Sequence, residues 1–244
     1  GTPGMVAKRK RPDGEDMWAP PQTALALGRV RYVGDPIALV VAETVDQAKS
    51  AVEMIKIEFN PLPSVTDTAK TIDPGAPAVW DECPDNISHI HETGDKNGTD
   101  EAFKNATTVV KRRFVITRVH AQFMEPRGVN AEYNERDDRY TLYADVQYPH
   151  RVRQVLAEKI FHIPEQNIRV VAQDVGGGFG AKGWQYIEQR LIMWATRKVG
   201  RPVKWTCERS ECVQADEHGR DNITEAEIAL DKDGKFLGLR VSTV

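Results

Sequence analysis

Asp174-Val175-Gly176-Gly177-Gly178-Phe179-Gly180-Ala181-Lys182-Gly183 is the stretch on which the reading of this chain turns. Four glycines in residues 176–180 leave a backbone with no side chains in the way, so several N–H groups can face an anion. Residues 167–173 alternate as a strand. After the glycines, Trp184, Ile187, Leu191, Trp194 and Ala195 recur on one face of a long helix, which Gly200 caps and Pro202 follows. A glycine turn between a strand and a helix N-terminus is, by its chemistry, a cradle for phosphate or an oxo-anion. The plainer reading is a tight connection whose glycines only permit close packing. Gly178-x-Gly180-x-x-Gly183 also fits a dinucleotide fingerprint, with a strand over 202–207 and Glu208 at its end. A nucleoside-triphosphate loop is excluded, because Lys182 is followed by Gly183 and not by Ser or Thr.

Working outward, the surroundings are α+β. Residues 29–33 and 36–41 read as strands, 44–55 as a helix with Ala48, Ala51, Val52 and Ile55 as an apolar stripe suited to a sheet, and 56–59 as a further strand. Residues 67–100, rich in Pro, Gly and acids, read as a connecting segment. Residues 107–117, 129–133 and 139–146 are alternating strands of a largely antiparallel sheet, the last two joined by an Asp137-Asp138 turn. Pro149 opens a helix through Val152, Val155, Leu156 and Ile160 that Pro164 stops. Residues 223–230 and 236–244 form a hairpin around Asp233-Gly234. Antiparallel pairing on both sides of the glycine stretch argues against a dinucleotide domain, which would continue in βα units.

The 244 residues carry 40% hydrophobic and 28% charged side chains, and no apolar run approaches a bilayer span. Net charge is -3, so no overall basic field favours nucleic acid. Lys8-Arg9-Lys10-Arg11 reads as a solvated loop and not a localisation signal. The opening Gly1-Thr2-Pro3-Gly4 has no apolar leader, which gives a cytoplasmic expectation. Cys83, Cys207 and Cys212 fit no metal or disulfide spacing and read as buried or incidental thiols. Glu125 before Pro126 and His120 read as structural, with no catalytic role.

Beyond the glycines, four motifs occur in order. They are Val146-Gln147-Tyr148-Pro149-His150-x-x-Arg153; Ile168-Arg169-Val170-Val171-x-x-Asp174 through Phe179-Gly180-x-Lys182; Gly200-Arg201-Pro202-Val203-Lys204-Trp205-x-x-x-Arg209-x-Glu211; and His218-Gly219-Arg220-Asp221. Together they resemble the molybdenum-cofactor-binding large subunit of xanthine dehydrogenase, aldehyde oxidase and aerobic carbon monoxide dehydrogenase-like enzymes. Val30-x-Tyr32-Val33-Gly34-Asp35-Pro36 through Ala42 resembles the hammerhead domain that precedes the cofactor domain in that family. The resemblance implies a partial hammerhead domain over 1–66, a linker over 67–100 and the first portion of a cofactor domain over 101–244.

It implies molybdopterin, in the cytosine dinucleotide form, carrying molybdenum, and partner subunits holding iron-sulfur clusters and FAD. It also implies that Gln147 hydrogen-bonds the cofactor near the metal, and that Gly177, Gly178, Phe179 and Gly180 form the loop against it. Gly183 stands where xanthine-type enzymes place a substrate-binding glutamate. This departure points toward carbon monoxide dehydrogenase-like members and oxidases of aldehydes or N-heterocycles. The family's catalytic glutamate falls beyond Val244, so this chain alone is expected to be inactive and to need the remainder of the large subunit. Apolar strand edges near 236–244 leave room for a second expectation, a non-catalytic assembly module.

Overall fold

The computed structural model describes residues 10–11 and 13–244. Gly1 to Gly4 and the Lys8-Arg9 half of the basic run lie outside them. The other half is ion-paired, Lys10 with Asp16 at 2.7 Å and Arg11 with Asp85 at 2.9 Å. Helices are α1 (Val45–Glu53), α2 (Lys96–Lys104), α3 (Pro149–Gln154), α4 (Ile187–Val199) and α5 (Arg209–Ala215). Strands are β1 (Thr108–Ile116), β2 (Gly128–Asn134), β3 (Arg139–Ala144), β4 (Ile168–Val171), β5 (Val203–Thr206), β6 (Asn222–Leu230) and β7 (Phe236–Thr243). The class is α+β, as the sequence implied. No helix among the described residues is long and apolar enough to cross a membrane.

The chain divides into two compact units. One holds Pro20–Asn60 and His120–His218, and with them the glycine stretch. Its sheet has the order β4-β3-β2-β5. The β2–β3 hairpin pairs Tyr133 with Tyr140 and Ala131 with Leu142. With a period of two, Val129 and Ala131 share a face with Tyr140, Leu142 and Ala144, and all five are buried. Val152, Leu156, Ile192 and Met193 from the helices complete that core. In the other unit, β1 and β6 pair from Thr108–Leu230 to Ile116–Asn222, and β7 adds to β6. There α2 packs on β7, with Arg240 4.2 Å from the Phe103 ring centroid and paired with Asp100 at 2.7 Å.

Several local expectations are corrected. Residues 29–33, 36–41 and 56–59 enter no ladder among the described residues, and Tyr32 and Val33 lie in a bend and turn, since alternation makes a strand only where a partner backbone exists. The stripe on α1 is only partly covered: none of its residues is buried, Ala48 and Ala51 are half-buried, and Val52 is 52% exposed. The tail of the connecting segment is helical, because Asp95 accepts from the Gly98 N–H and starts α2. Strand β4 pairs parallel to β3, so the sheet is mixed.

The long helix begins at Ile187, after a single 3-10 turn at Ala181–Gly183. Its buried residues are Gln189, Arg190, Ile192, Met193, Ala195 and Thr196, so of the expected face Ala195 is buried, while Trp194 is 51% exposed and Trp184, ahead of the helix, is 40% exposed. Thr196 serves that buried side because backbone acceptors lie beneath it. The Thr196 hydroxyl sits 3.0 Å from the Ala131 carbonyl oxygen and 2.5 Å from that of Arg201. Gly200 caps the helix in the left-handed conformation, as expected.

Leu142, fully buried at the centre of the four-stranded sheet, sets a test of this core. Leu142→Ala is expected to lower unfolding stability by about 2–5 kcal/mol, read from the denaturant midpoint at unchanged slope.

Candidate functional site

The glycine stretch leaves the edge strand β4 and crosses the ends of β2 and β3 in the same unit. Its conformation depends on contacts that only glycine permits. A Cβ on Gly176 would lie 2.5 Å from the Glu125 Cβ, and one on Gly178 would lie 2.6 Å from the Gln147 Oε1. Both ends are tied down. The Gly176 N–H donates to the Glu125 carboxylate at 2.7 Å, and the Gly180 N–H donates to the Gln147 Oε1 at 2.9 Å. Between these anchors, none of the described residues accepts from the N–H groups of Gly177, Gly178 or Phe179. Phe179 takes φ +50°, a costly value for a bulky residue, and its side chain is 78% exposed. A core aromatic would be the opposite.

Beneath the loop lies Lys182, 1% exposed. Its Nζ is 2.5 Å from the Asp145 Oδ2 and 2.9 Å from the Glu125 Oε2, and 4.6 Å from the Phe123 ring centroid. The Lys182 carbonyl accepts from the Gln147 N–H at 3.0 Å. Burial works to raise the Glu125 pKa, but the bonds from Lys182 and Gly176 outweigh it and hold the carboxyl below its ordinary value. At Asp145, which also accepts from the Gly128 N–H at 2.9 Å, burial wins and the pKa is raised.

A second buried cation stands beside the first. Arg127 donates through Nε to Asp216 at 2.6 Å, pairs with Glu188, and lies 3.9 Å from the Tyr186 ring centroid. Desolvation pulls its pKa down, and the charges of Glu188 and Asp216 overcome that and raise it. Asp216 also faces the His120 Nε2 at 3.0 Å. The Tyr186 hydroxyl donates to the Ala181 carbonyl at 2.9 Å and accepts from the Glu217 N–H at 3.0 Å, which joins this cluster to the turn after the glycines. Cys207 and Cys212 are buried here, and desolvation pushes the Cys207 thiol up, so Cys207 is not a ready thiolate. Among the described residues, no group of three or more His, Cys, Asp or Glu is gathered to hold a metal ion.

Residues 79–244 match the family described as molybdopterin cofactor-binding domain, and residues 4–63 match the aldehyde oxidase and xanthine dehydrogenase a/b hammerhead domain. The chain belongs to the molybdopterin cofactor-binding family. Among its relatives are the carbon monoxide dehydrogenase large chain of Afipia carboxidovorans, 33% identical over 90% of this chain and 28% of the relative. Another is the nicotine 6-hydroxylase large subunit of Paenarthrobacter nicotinovorans, 36% identical over 88% of this chain and 26% of the relative. A crystal structure of Cu,Mo-CO dehydrogenase superposes with TM-score 0.84 at 32% identity, covering 91% of this chain and 29% of that one. Quinoline 2-oxidoreductase from Pseudomonas putida 86 gives 0.82 at 32% identity, covering 91% and 28%. The chain thus spans less than a third of the length of these relatives.

The structure brings together the residues nominated from sequence: Gln147, Gly177, Gly178, Phe179 and Gly180 lie together, with Gln147 tied to Gly180. The dinucleotide reading fails on topology. Its fingerprint needs a strand, a helix and an adjacent parallel strand, whereas β5 lies at the far edge of the sheet from β4, with β3 and β2 between them. Sequence reasoning missed Lys182, Asp145, Arg127 and Asp216, and set Glu125 and His120 aside. The only signal for Lys182 was its place in a motif, and Glu125 stood outside all four.

Gly178→Ala is expected to leave the fold intact, because its φ is not in the left-handed region, but to push Gln147 aside and break its bond to Gly180. The expected result is a loss of about 1 kcal/mol in thermal unfolding with a shifted Gly180 amide resonance.

Proposed function

We propose that this chain is part of the large subunit of a molybdenum-dependent hydroxylase, with the loop 176–180 lying against the cofactor. The observation that carries the reading is the row of unspent N–H groups on Gly177, Gly178 and Phe179, held at both ends and flanked by the Gln147 carboxamide. These donors suit a ligand rich in oxo and phosphate oxygens. The Gln147 Oε1 is engaged with Gly180, so its Nε2 is the group that faces a ligand as a donor. Gly177, Gly178, Phe179 and Gly180 contribute backbone, and the exposed Phe179 ring shields it from water. When bound, molybdenum held by molybdopterin in its cytosine dinucleotide form would supply the redox chemistry of hydroxylation at a substrate carbon.

In this reading residues 1–66 belong to a hammerhead domain, 67–100 to a linker and 101–244 to the first portion of the cofactor domain. The site would be completed by the remainder of the large subunit, and electrons would pass to iron-sulfur and FAD-binding subunits. The substrate class is a small molecule such as carbon monoxide, an aldehyde or an N-heterocycle. A side chain at Gly183 would begin 3.2 Å from the Tyr148 ring, which supports the view that no glutamate-like substrate contact operates there. The unpartnered face of the β1-β6-β7 sheet carries Phe114, Leu239 and Val241, each more than half exposed, a surface suited to the missing polypeptide.

Metal analysis and pterin fluorescence on the purified complex containing this chain test the reading. Molybdenum and pterin in stoichiometric amount are expected, and absence of both would refute it. Gln147→Ala is expected to reduce turnover by about 10- to 100-fold with the fold preserved, the usual consequence of losing a bond around a metal centre. Titration with NAD or NADP is expected to show no binding to this chain.

A further inference from the structure

We infer that Glu125 and Lys182 are positioning residues for the glycine loop: the buried Lys182 ammonium fixes the Glu125 carboxylate, which holds Gly176 and so sets how residues 177–179 present their N–H groups. The inference rests on the proposed reading of that loop as a cofactor contact.

Lys182 is connected to both loop anchors. Through its side chain it reaches Glu125, whose Oε2 accepts from the Gly176 N–H at 2.7 Å. Through its carbonyl it accepts from the Gln147 N–H, and the Gln147 Oε1 accepts from Gly180. The result is a closed ring from Gly176 through Glu125, Lys182 and Gln147 to Gly180, with residues 177–179 as the span between the anchors. Gly177 and Gly180 take their positive φ freely, but the φ of +50° at Phe179 is not one that a bulky residue holds by local preference. Something outside the loop has to over-determine it.

The clamp itself is held from two further sides. Arg209, at the start of α5, donates to the Phe123 carbonyl at 2.7 Å and to the Met124 carbonyl at 2.5 Å, which fixes the segment carrying Glu125. The Glu125 N–H in turn donates to the Gly176 carbonyl at 3.2 Å, so residue 125 and Gly176 are joined twice. Asp145 holds the far side of the Lys182 ammonium. A buried cation with one carboxylate at the end of β3 and one on the segment that holds Gly176 transmits the rigidity of β3 to the loop. A lysine present only to satisfy Asp145 would have no need of Glu125.

The test is amide hydrogen exchange in the protein containing this chain, prepared without cofactor, with pterin content measured separately on the loaded protein. In Glu125→Ala, the Gly176 and Gly180 amides are expected to exchange about tenfold faster or more, while amides of β2 and β3 stay at parent rates. Glu125→Gln keeps an acceptor oxygen and is expected to stay within about threefold of the parent. Lys182→Met is combined with Asp145→Asn so that Glu125 alone loses its counter-ion. The charged groups around Glu125 are Lys182, Asp145 beyond it, and Arg209 on the neighbouring carbonyls.

In the parent, Glu125 is held below its ordinary pKa, so the clamp is complete above the ordinary carboxylate range and is lost only as pH falls through the lowered value. In the combined variant that loss is expected at higher pH, which a merely space-filling lysine would not produce. An unchanged Gly180 amide in Glu125→Ala would overturn the inference. So would equal acceleration throughout β2 and β3, or a combined variant with the parent's pH profile. Parent protein that lacks pterin would defeat the functional reading while leaving the loop result to stand or fall on exchange alone.

Discussion

The ammonium of Lys182 is the constraint around which the site is organised. An ammonium removed from water costs several kcal/mol unless carboxylates and hydrogen bonds compensate it, and breaking such a pair leaves the cost uncompensated. Lys182 meets this with Asp145 at the end of β3 and Glu125 in the segment before β2. Those two carboxylates come from different parts of the chain, so satisfying one charge brings together the sheet, the preceding loop and the glycine stretch. The Phe123 ring closes over the ammonium and adds a cation–π contact. Any arrangement of the loop has to be compatible with that buried pairing.

Arg127 repeats the solution a short distance away. Its guanidinium is sandwiched by Tyr186 and held by Asp216 and Glu188, so α4, the segment after α5 and the start of β2 converge on one charge. Two buried cations, each with two carboxylates, make the region under the loop electrostatically specific as well as packed. A hydrophobic core of the same volume would give comparable stability but would not dictate where the loop's N–H groups point. The apolar part of the unit lies on the other side, where Leu142, Leu156 and Met193 pack between sheet and helices. Rigidity from that core supports the loop, and the charges aim it.

Much of this was legible in the chain. The hairpins at 129–146 and 223–244 followed from alternation and from turn residues, because side-chain period and turn chemistry are local properties. The glycine loop and Gln147 could be nominated from the order of motifs. What misled was periodicity without a partner. The stripe on α1 and the alternation at 29–41 and 56–59 are real in sequence, yet among the described residues those stretches join no sheet and no residue of α1 is buried. The face of α4 was misjudged in part because its buried side uses Thr196, whose worth depends on which carbonyls lie beneath it. Glu125 carried no signal as a lone glutamate before proline, since its role exists only when Gly176 arrives 51 residues later in the chain.

By itself the sequence determined the α+β class, the family and the position of the loop, because those rest on local periods, glycine content and motif order. Only the tertiary structure decided what holds the loop in shape. A buried charge selects its partners by distance in space, and nothing in residues 125, 145 and 182 taken singly says that they meet. The same holds for the rejected dinucleotide site. Its fingerprint is present in residues 178–183, and it fails because two strands separate β4 from β5, a fact of sheet order that no local pattern contains.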